Sequence, residues 1–380
     1  MWHRILARLF PTTPLIEVGI SKEALLHNFH TYQKAYPHVL LAPVLKSNAY
    51  GHDLGLVARL LDQEPIAFFM VDSLYEAKRL RGAGVGSRIV VMGYVRPQDI
   101  AHSKLRNVDF AITDIEQLRS LTQSVNSIKR IHLKLDTGMH RQGISPEDIE
   151  DAMALIKGHT RLKLAGVCSH FADADTEGSA HAQRQLTRWK EMLSILEREF
   201  PSIEYKHFAA TKGVRFAKDA GTNVARLGIG LYGFDTAPGG ASELMPVLTL
   251  RSIIGELRTI AAGESVGYNA TYTAPTKTVV ATVPAGYFEG VDRRLSNKGM
   301  VSVRGILCPI IGRVSMNMTA IDVTQVTDIA IGDVVTLISR DLQLPNSVPH
   351  IAATISSEAY RESEYVVLVH IPQHLKRVLE

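Results

Sequence analysis

At 380 residues the chain exceeds one average domain, and a barrel of roughly 250 residues with a smaller companion suits its length. Hydrophobic residues make up 46% and charged residues 21%, which excludes disorder over most of the length; 42 Lys and Arg against 38 Asp and Glu leave a net charge of +4, too mild and too scattered for a nucleic-acid partner. No segment reaches the roughly 18 consecutive apolar residues of a membrane span, and Cys168 and Cys308, far apart, fit two buried thiols in a reducing compartment, so a cytoplasmic location is expected.

Residues 1–15 read as an N-terminal extension, because Pro11-Thr12-Thr13-Pro14 stops the basic and apolar opening before a signal-peptide core forms. Ile16 to Ile20 reads as a short strand, and Ser21 as the N-cap of a helix through Ala35 with Leu25, Leu26 and Phe29 on one face. From there apolar runs alternate with amphipathic stretches. Strands are predicted at 40–46, 66–71, 88–92, 108–112, 130–136, 164–170, 204–209 and 224–229, and helices near 53–62, 73–83, 97–105, 114–124, 146–158, 178–199 and 212–218. Eight such strands argue for an α/β fold, a (β/α)8 TIM-type barrel over 16–240. Past the linker composition at Thr236-Ala237-Pro238-Gly239-Gly240, alternating runs at 246–254, 278–283, 300–306, 310–314, 318–323, 334–339 and 365–370 are separated by Gly, Asn and Asp turns. They predict a smaller all-β domain over 241–380.

A parallel barrel keeps its chemistry at the C-terminal ends of its strands. The first barrel strand delivers Lys46 there, in the phrase Val44-Leu45-Lys46-Ser47-Asn48-Ala49-Tyr50-Gly51-His52. An amine at an apolar strand end is partly desolvated, which favours its neutral, nucleophilic form and Schiff-base chemistry with an aldehyde, although a lone lysine in such a place is far more often an ion-pair cap. Tyr50 faces the same cavity if the turn after Lys46 is helical. The fifth strand leads into Lys134 and Arg141, the sixth ends in His170, the seventh in His207 and then Thr211, and the eighth in Arg226 followed by Gly228-Ile229-Gly230. That glycine-rich backbone offers N–H groups to a phosphate, as loops after the last strands of this fold commonly do. Singly, each histidine or arginine reads as structural; with Lys46 they make one constellation. No metal site is expected.

These phrases resemble, in order and spacing from Ile16 to about Val326, the alanine racemase family, whose members use pyridoxal 5'-phosphate (PLP) on a barrel. The resemblance implies that Lys46 carries the cofactor, that Tyr50, Thr211 and the backbone of Gly228 and Ile229 hold its phosphate, and that Arg226 donates to its pyridine nitrogen. An arginine stays charged at any working pH, so it leaves that nitrogen unprotonated and the ring a weaker electron sink than a carboxylate partner would; a decarboxylase of the same barrel type pairs the ring with an acidic residue instead. The resemblance further assigns Arg141 to the phenolic oxygen and substrate, His170 to support of Arg226, Lys134 to a position carbamylated in many members, Tyr287 to the entrance and Met316 to a loop meeting the substrate carboxylate. Racemisation needs acid/base groups on both faces of Cα. Lys46 serves one, and the resemblance gives the other to Tyr268 from the partner subunit of a homodimer. Such an enzyme is an isomerase interconverting L- and D-alanine and supplying D-alanine for peptidoglycan. A racemase of another or several small amino acids, such as serine, is the nearest alternative, and a non-catalytic PLP-binding homologue the next. The chain departs from the family pattern at Ala210 (commonly Asn), Glu289 and Asn317 (commonly Asp) and Ser357 (commonly Tyr).

Overall fold

The computed structural model describes residues 14–235 and 243–380. The linker at 236–240 and all but the last two positions of the N-terminal extension lie outside the described residues. The fold divides into two compact units, Glu23–Met245 and a second made of the described residues before Glu23 together with Pro246–Glu380.

The first strand, β1 (Glu17–Ile20), corrects the expected layout: it is no part of the barrel region 16–240 but pairs inside the second unit. Local sequence specifies an extended apolar segment with Val18 and Ile20 inward; which sheet edge receives it is a tertiary matter.

The first unit holds β2 (Leu40–Pro43), β3 (Phe69–Val71), β4 (Ile89–Val91), β5 (Val108–Ile112), β6 (Lys129–Lys134), β7 (Leu162–Cys168), β8 (Tyr205–His207) and β9 (Val224–Leu227). Strands β3 to β8 pair in sequence order, all parallel, and β9 pairs parallel with β2, Leu40 opposite Val224. Both gaps are bridged by backbone. Leu45 N–H donates to Met70 at 2.7 Å on one side of β2, and Arg226 N–H to Ala209 at 3.0 Å between β8 and β9. The eight strands therefore close into a barrel. Helices at Leu54–Leu61, Leu74–Gly82, Pro97–His102, Ile115–Ser124, Ile149–Lys157 and Ala180–Glu199 link them. Ser73 and Asp114 cap their helices, accepting from Glu76 N–H at 3.3 Å and Gln117 N–H at 2.8 Å. The longest helix buries Leu186, Trp189, Met192, Leu193 and Leu196, the stripe its spacing predicts. The stretch near 212–218 is instead a 3₁₀ turn, Thr211–Phe216.

The second unit is rich in sheet. It comprises β10 (Leu248–Ile253), β11 (Glu256–Ile260), β12 (Ser265–Val266), β13 (Tyr272–Thr273), β14 (Thr278–Val283), β15 (Met300–Val303), β16 (Ile306–Pro309), β17 (Thr319–Asp322), β18 (Val334–Ile338) and β19 (Lys376–Leu379). One sheet runs β16-β15-β18-β10-β1-β19, a second β11-β14-β17, and β12-β13 is a hairpin. Two expected strands are absent. Residues 365–370 fall in a helix, Glu364–Val369, because Ser363 takes the extended cap conformation and buries Val367 and Leu368 on one turn. Residues 310–314 leave the sheet at Gly312, whose φ of 71° suits glycine alone, so the strand is β16. Both cysteines are buried free thiols.

Candidate active site

Lys46 emerges from the C-terminal end of β2, half-buried behind the buried Val44 and Leu45. The turn that follows is helical, but left-handed: Ser47, Asn48, Ala49 and Tyr50 have φ of 56°, 57°, 54° and 52°. Such a turn costs L-residues roughly 1–2 kcal/mol each, so the surroundings must hold it. They do so through the buried Glu76, which accepts from Asn48 N–H at 3.3 Å and Asp72 N–H at 2.8 Å, and through the Asn48 side chain, which accepts from Leu54 N–H at 3.1 Å. The reversed hand is what carries Tyr50 inward. Its ring lies 4.9 Å from that of Tyr232, whose hydroxyl donates to Val44 O at 3.0 Å, and its hydroxyl lies against Gly228. Tyr232 and Glu76 carry no sequence signal of their own; the left-handed turn needs both, and nothing in the local pattern announces it.

Across β2 from this turn, Thr211 Oγ1 accepts N–H bonds from Gly228 at 3.0 Å and Gly230 at 3.3 Å, with Ile229 buried between them. A Cβ on Gly228 would stand 3.0 Å from the Tyr50 hydroxyl oxygen, and one on Gly230 within the Tyr32 ring. A side chain at either would press on a tyrosine, and Tyr50, Thr211 and the Gly228–Gly230 backbone form one small polar cradle.

Arg226, 4% exposed, occupies the barrel interior beside it. Its terminal nitrogens are fully engaged: Nη1 with His207 O and, at 3.2 Å, His207 Nδ1; Nη2 with Ser169 O at 2.7 Å, His170 Nδ1 at 2.8 Å and Phe208 O at 3.0 Å. Nε–H is bonded to no described residue, so it is the donor the guanidinium has to spare. Burial, with the charges of Arg226, Arg141, Lys134 and Lys46 behind it, pulls the His170 pKa down to about 3, and burial takes His207 well below the ordinary histidine value. Both rings are therefore neutral acceptors at Arg226. Lys134 donates to Gln142 Oε1 at 2.9 Å and is held below the usual lysine range, first by burial and then by Arg141, Arg226 and Lys46. Arg141 is exposed on the loop after β6. Two members of this network escape sequence reading altogether, Asp109 on β5 and His132 on β6, both 0% exposed.

In the second unit, Tyr268 stands 70% exposed on a short turn after β12, Tyr287 is 42% and Met316 56% exposed. Tyr287 N–H donates to Ser315 O at 3.0 Å and Phe288 N–H to Met316 O at 2.9 Å, so the Tyr287 turn and the Met316 loop form one piece. Asn297 joins the Tyr268 turn to it, donating to Thr271 O at 3.2 Å and accepting from Gly312 N–H at 2.6 Å. Two departures from the family pattern meet here: Asn317 Nδ2 donates to Glu289 Oε1 at 2.7 Å, while Glu289 Oε2 accepts from Gly286 N–H at 2.8 Å. The longer acid and the amide are complementary. Ser357 sits in a tight turn closed on Tyr360.

Family models for the alanine racemase N-terminal and C-terminal domains match residues 20–236 and 247–379. The chain belongs to the alanine racemase family. The alanine racemase of Syntrophobacter fumaroxidans is 34% identical over 352 residues, covering 90% of this chain and 94% of the relative, and that of Sorangium cellulosum 37% identical over 308 residues, covering 76% and 78%. The crystal structure of alanine racemase from Bacillus anthracis with bound L-Ala-P superposes with a TM-score of 0.87 at 27% identity, covering 98% of this chain and 96% of that one. The alanine racemase of Clostridium difficile gives 0.88 at 26%, with 97% and 96% covered. Seen as a racemase of this family, the chain keeps its expected cofactor and lysine residues inside the N-terminal match, and Tyr268, Tyr287 and Met316 inside the C-terminal one.

Proposed function

We propose that the chain is a PLP-dependent alanine racemase that interconverts L- and D-alanine by a two-base mechanism and supplies D-alanine for peptidoglycan in the cytoplasm. The observation that carries this reading is Arg226: a buried cation whose terminal nitrogens are fully committed and whose Nε–H alone is left to meet a ring nitrogen. The polar cradle supports it, since Thr211, Tyr50 and the backbone of two glycines, where an added Cβ would crowd tyrosine hydroxyls, gather the donors a phosphate needs. The donor set therefore fits pyridoxal phosphate. When bound, that cofactor would supply an aldehyde for an amine and an electron sink for the Cα–H bond.

The chain's own groups do the rest. Lys46 anchors the cofactor through Nζ and, once released by substrate, holds or returns a proton at one face of Cα. Tyr268 serves the opposite face through its phenol, and its exposure suits a group given to a partner subunit's barrel in a homodimer. Arg226 stays charged and limits electron withdrawal, which disfavours side reactions. Arg141, Tyr287 and the Met316 loop meet the phenolic oxygen, the entrance and the substrate carboxylate, with Glu289 and Asn317 fixing that loop. His170 steadies Arg226. Lys134 is held below the ordinary lysine range by burial among cations, a shift toward the neutral amine that carbamylation by carbon dioxide needs.

The test is D-alanine formation from L-alanine by purified protein with added PLP, run beside L-serine. Turnover of alanine well above serine is expected; a visible cofactor band without turnover of either amino acid overturns the reading in favour of a non-catalytic homologue.

A further inference from the structure

Beneath Arg226 a file of buried side chains runs down the barrel interior. Asp109, His132 and His207 are each 0% exposed. Asp109 Oδ1 takes Arg88 Nη1 at 2.7 Å, and its Oδ2 takes Arg130 Nε and His132 Nε2, both at 3.3 Å. Arg130 in turn forks onto Glu204 at 2.8 and 2.7 Å. Arg88, Arg130 and Glu204 all lie at the N-terminal ends of their strands, so the file starts at the mouth opposite the cradle. From His132 it continues through Nδ1 to His207 Nε2 at 2.7 Å, and from His207 Nδ1 to Arg226.

The protons along this file are determined. Burial works to raise the Asp109 carboxyl, but the His132 hydrogen bond and the charges of Arg88 and Arg130 outweigh it and hold the group below the usual carboxylate range. An ionised carboxylate only accepts, so His132 Nε2 carries the hydrogen. Burial keeps His132 neutral, so its Nδ1 is a lone pair and accepts from His207 Nε2. His207 Nδ1 is then also a lone pair, the only state that receives an arginine N–H. The reversed tautomers would set a ring N–H against the guanidinium. The packing is built for this arrangement: a Cβ on Gly166 would come within 2.6 Å of His132 Nδ1, and the edge of Phe68 meets both histidine rings, at 5.5 and 5.3 Å between centroids.

We propose that Asp109 and His132 are positioning residues of the racemase: Asp109 sets the tautomer of His132 and through it that of His207, so that two ring lone pairs, His207 Nδ1 and His170 Nδ1, hold Arg226 with Nε–H aimed at the cofactor's ring nitrogen. The inference rests on the PLP reading above. It makes the pyridine contact depend on a carboxylate two side chains away from the arginine.

Two measurements on the PLP-loaded protein test it. Solid-state nitrogen-15 spectra of histidine-labelled protein, assigned with His132→Gln, should give neutral rings protonated at Nε2 for both His132 and His207; Nδ1 protonation of either overturns the inference on the unaltered chain. Equilibrium binding is then compared between PLP and its 1-deaza analogue, which has carbon in place of the ring nitrogen. The wild-type chain should prefer PLP, and Asp109→Asn and His132→Gln should lose about tenfold or more of that preference while holding the analogue as before. A retained preference in both variants overturns the positioning role. No preference in the wild-type chain, with the tautomers as expected, overturns instead the contact between Arg226 and the ring nitrogen.

Discussion

The strand ends of the barrel and the turns of the second unit make different use of their side chains. At the barrel ends, Arg226, His207 and Thr211 are buried and His170 half-buried, and all four are held by partners within the same unit, Arg226 keeping only its Nε–H to spare. In the second unit, the backbone of the Tyr268, Tyr287 and Met316 turns is stapled tightly while the side chains point into solvent. The first arrangement suits holding a fixed group in one pose, where unmet hydrogen bonds would cost about 1–3 kcal/mol each. The second suits presenting a rigid surface to something else. Machinery that must hold and machinery that must meet are thus separated along the chain.

The largest test of that division is Lys46→Ala. Removing the anchoring amine should abolish the visible cofactor band and lower racemisation by about 10⁴-fold or more, as measured by chiral separation of the product. Retention of the band would detach Lys46 from the holding side. On the meeting side, Tyr268→Phe should suppress Cα proton exchange from L-alanine by about 10²–10⁴-fold and spare exchange from D-alanine, followed as deuterium uptake from heavy water. Mixed dimers of Lys46→Ala and Tyr268→Phe chains should regain activity at one site. Equal slowing of both enantiomers, or no recovery in verified mixed dimers, would erase the distinction.

Smaller effects sharpen the holding side. Thr211→Val removes the hydroxyl on which Gly228 and Gly230 converge and should weaken PLP binding by one to two decades, the equivalent of about 1.5–3 kcal/mol, in an equilibrium titration. Met316→Leu on the meeting side should leave that constant unchanged. Smallest and most gradual is the response to acid. His132, His170 and His207 all have folded pKa values depressed below the unfolded value of about 6.5, so the unfolded chain binds more protons below that pH. Their contribution is complete above pH 6.5 and is lost as pH falls toward the depressed values, by up to about 1.4 kcal/mol per pH unit for each ring. Urea midpoints measured from pH 7 to pH 5 should therefore fall, and fall less steeply in His170→Gln, which has no proton to take up.

Much of the barrel was legible because each of its parts is local. Apolar runs set the eight strands, three-to-four spacing set helices such as Ala180–Glu199, and parallel strands bring Lys46, Arg226 and Thr211 to one mouth wherever their runs end. The turn signals around Tyr268, Tyr287 and Met316 are equally local, since a turn keeps its residues together regardless of what surrounds it. What the sequence by itself could not decide were choices among partners. The run before Ser21 reads as a strand in any context, yet it became the neighbour of β10, whose edge was open, and took β19 on its own far side. Residues 364–369 are β-prone one by one, and only packing on Val367 and Leu368 made them helical. The hand of the turn at Ser47–Tyr50 runs against the intrinsic preference of every residue in it and is held by Glu76 from another helix. Asp109 lies far from any motif and His132, two residues before Lys134, belongs to none, and their role exists only because barrel closure stacks β5, β6, β8 and β9 around one interior. Periodicity and phrase fix what a segment can be; long-range burial and hydrogen bonding decide which of those possibilities is cheapest.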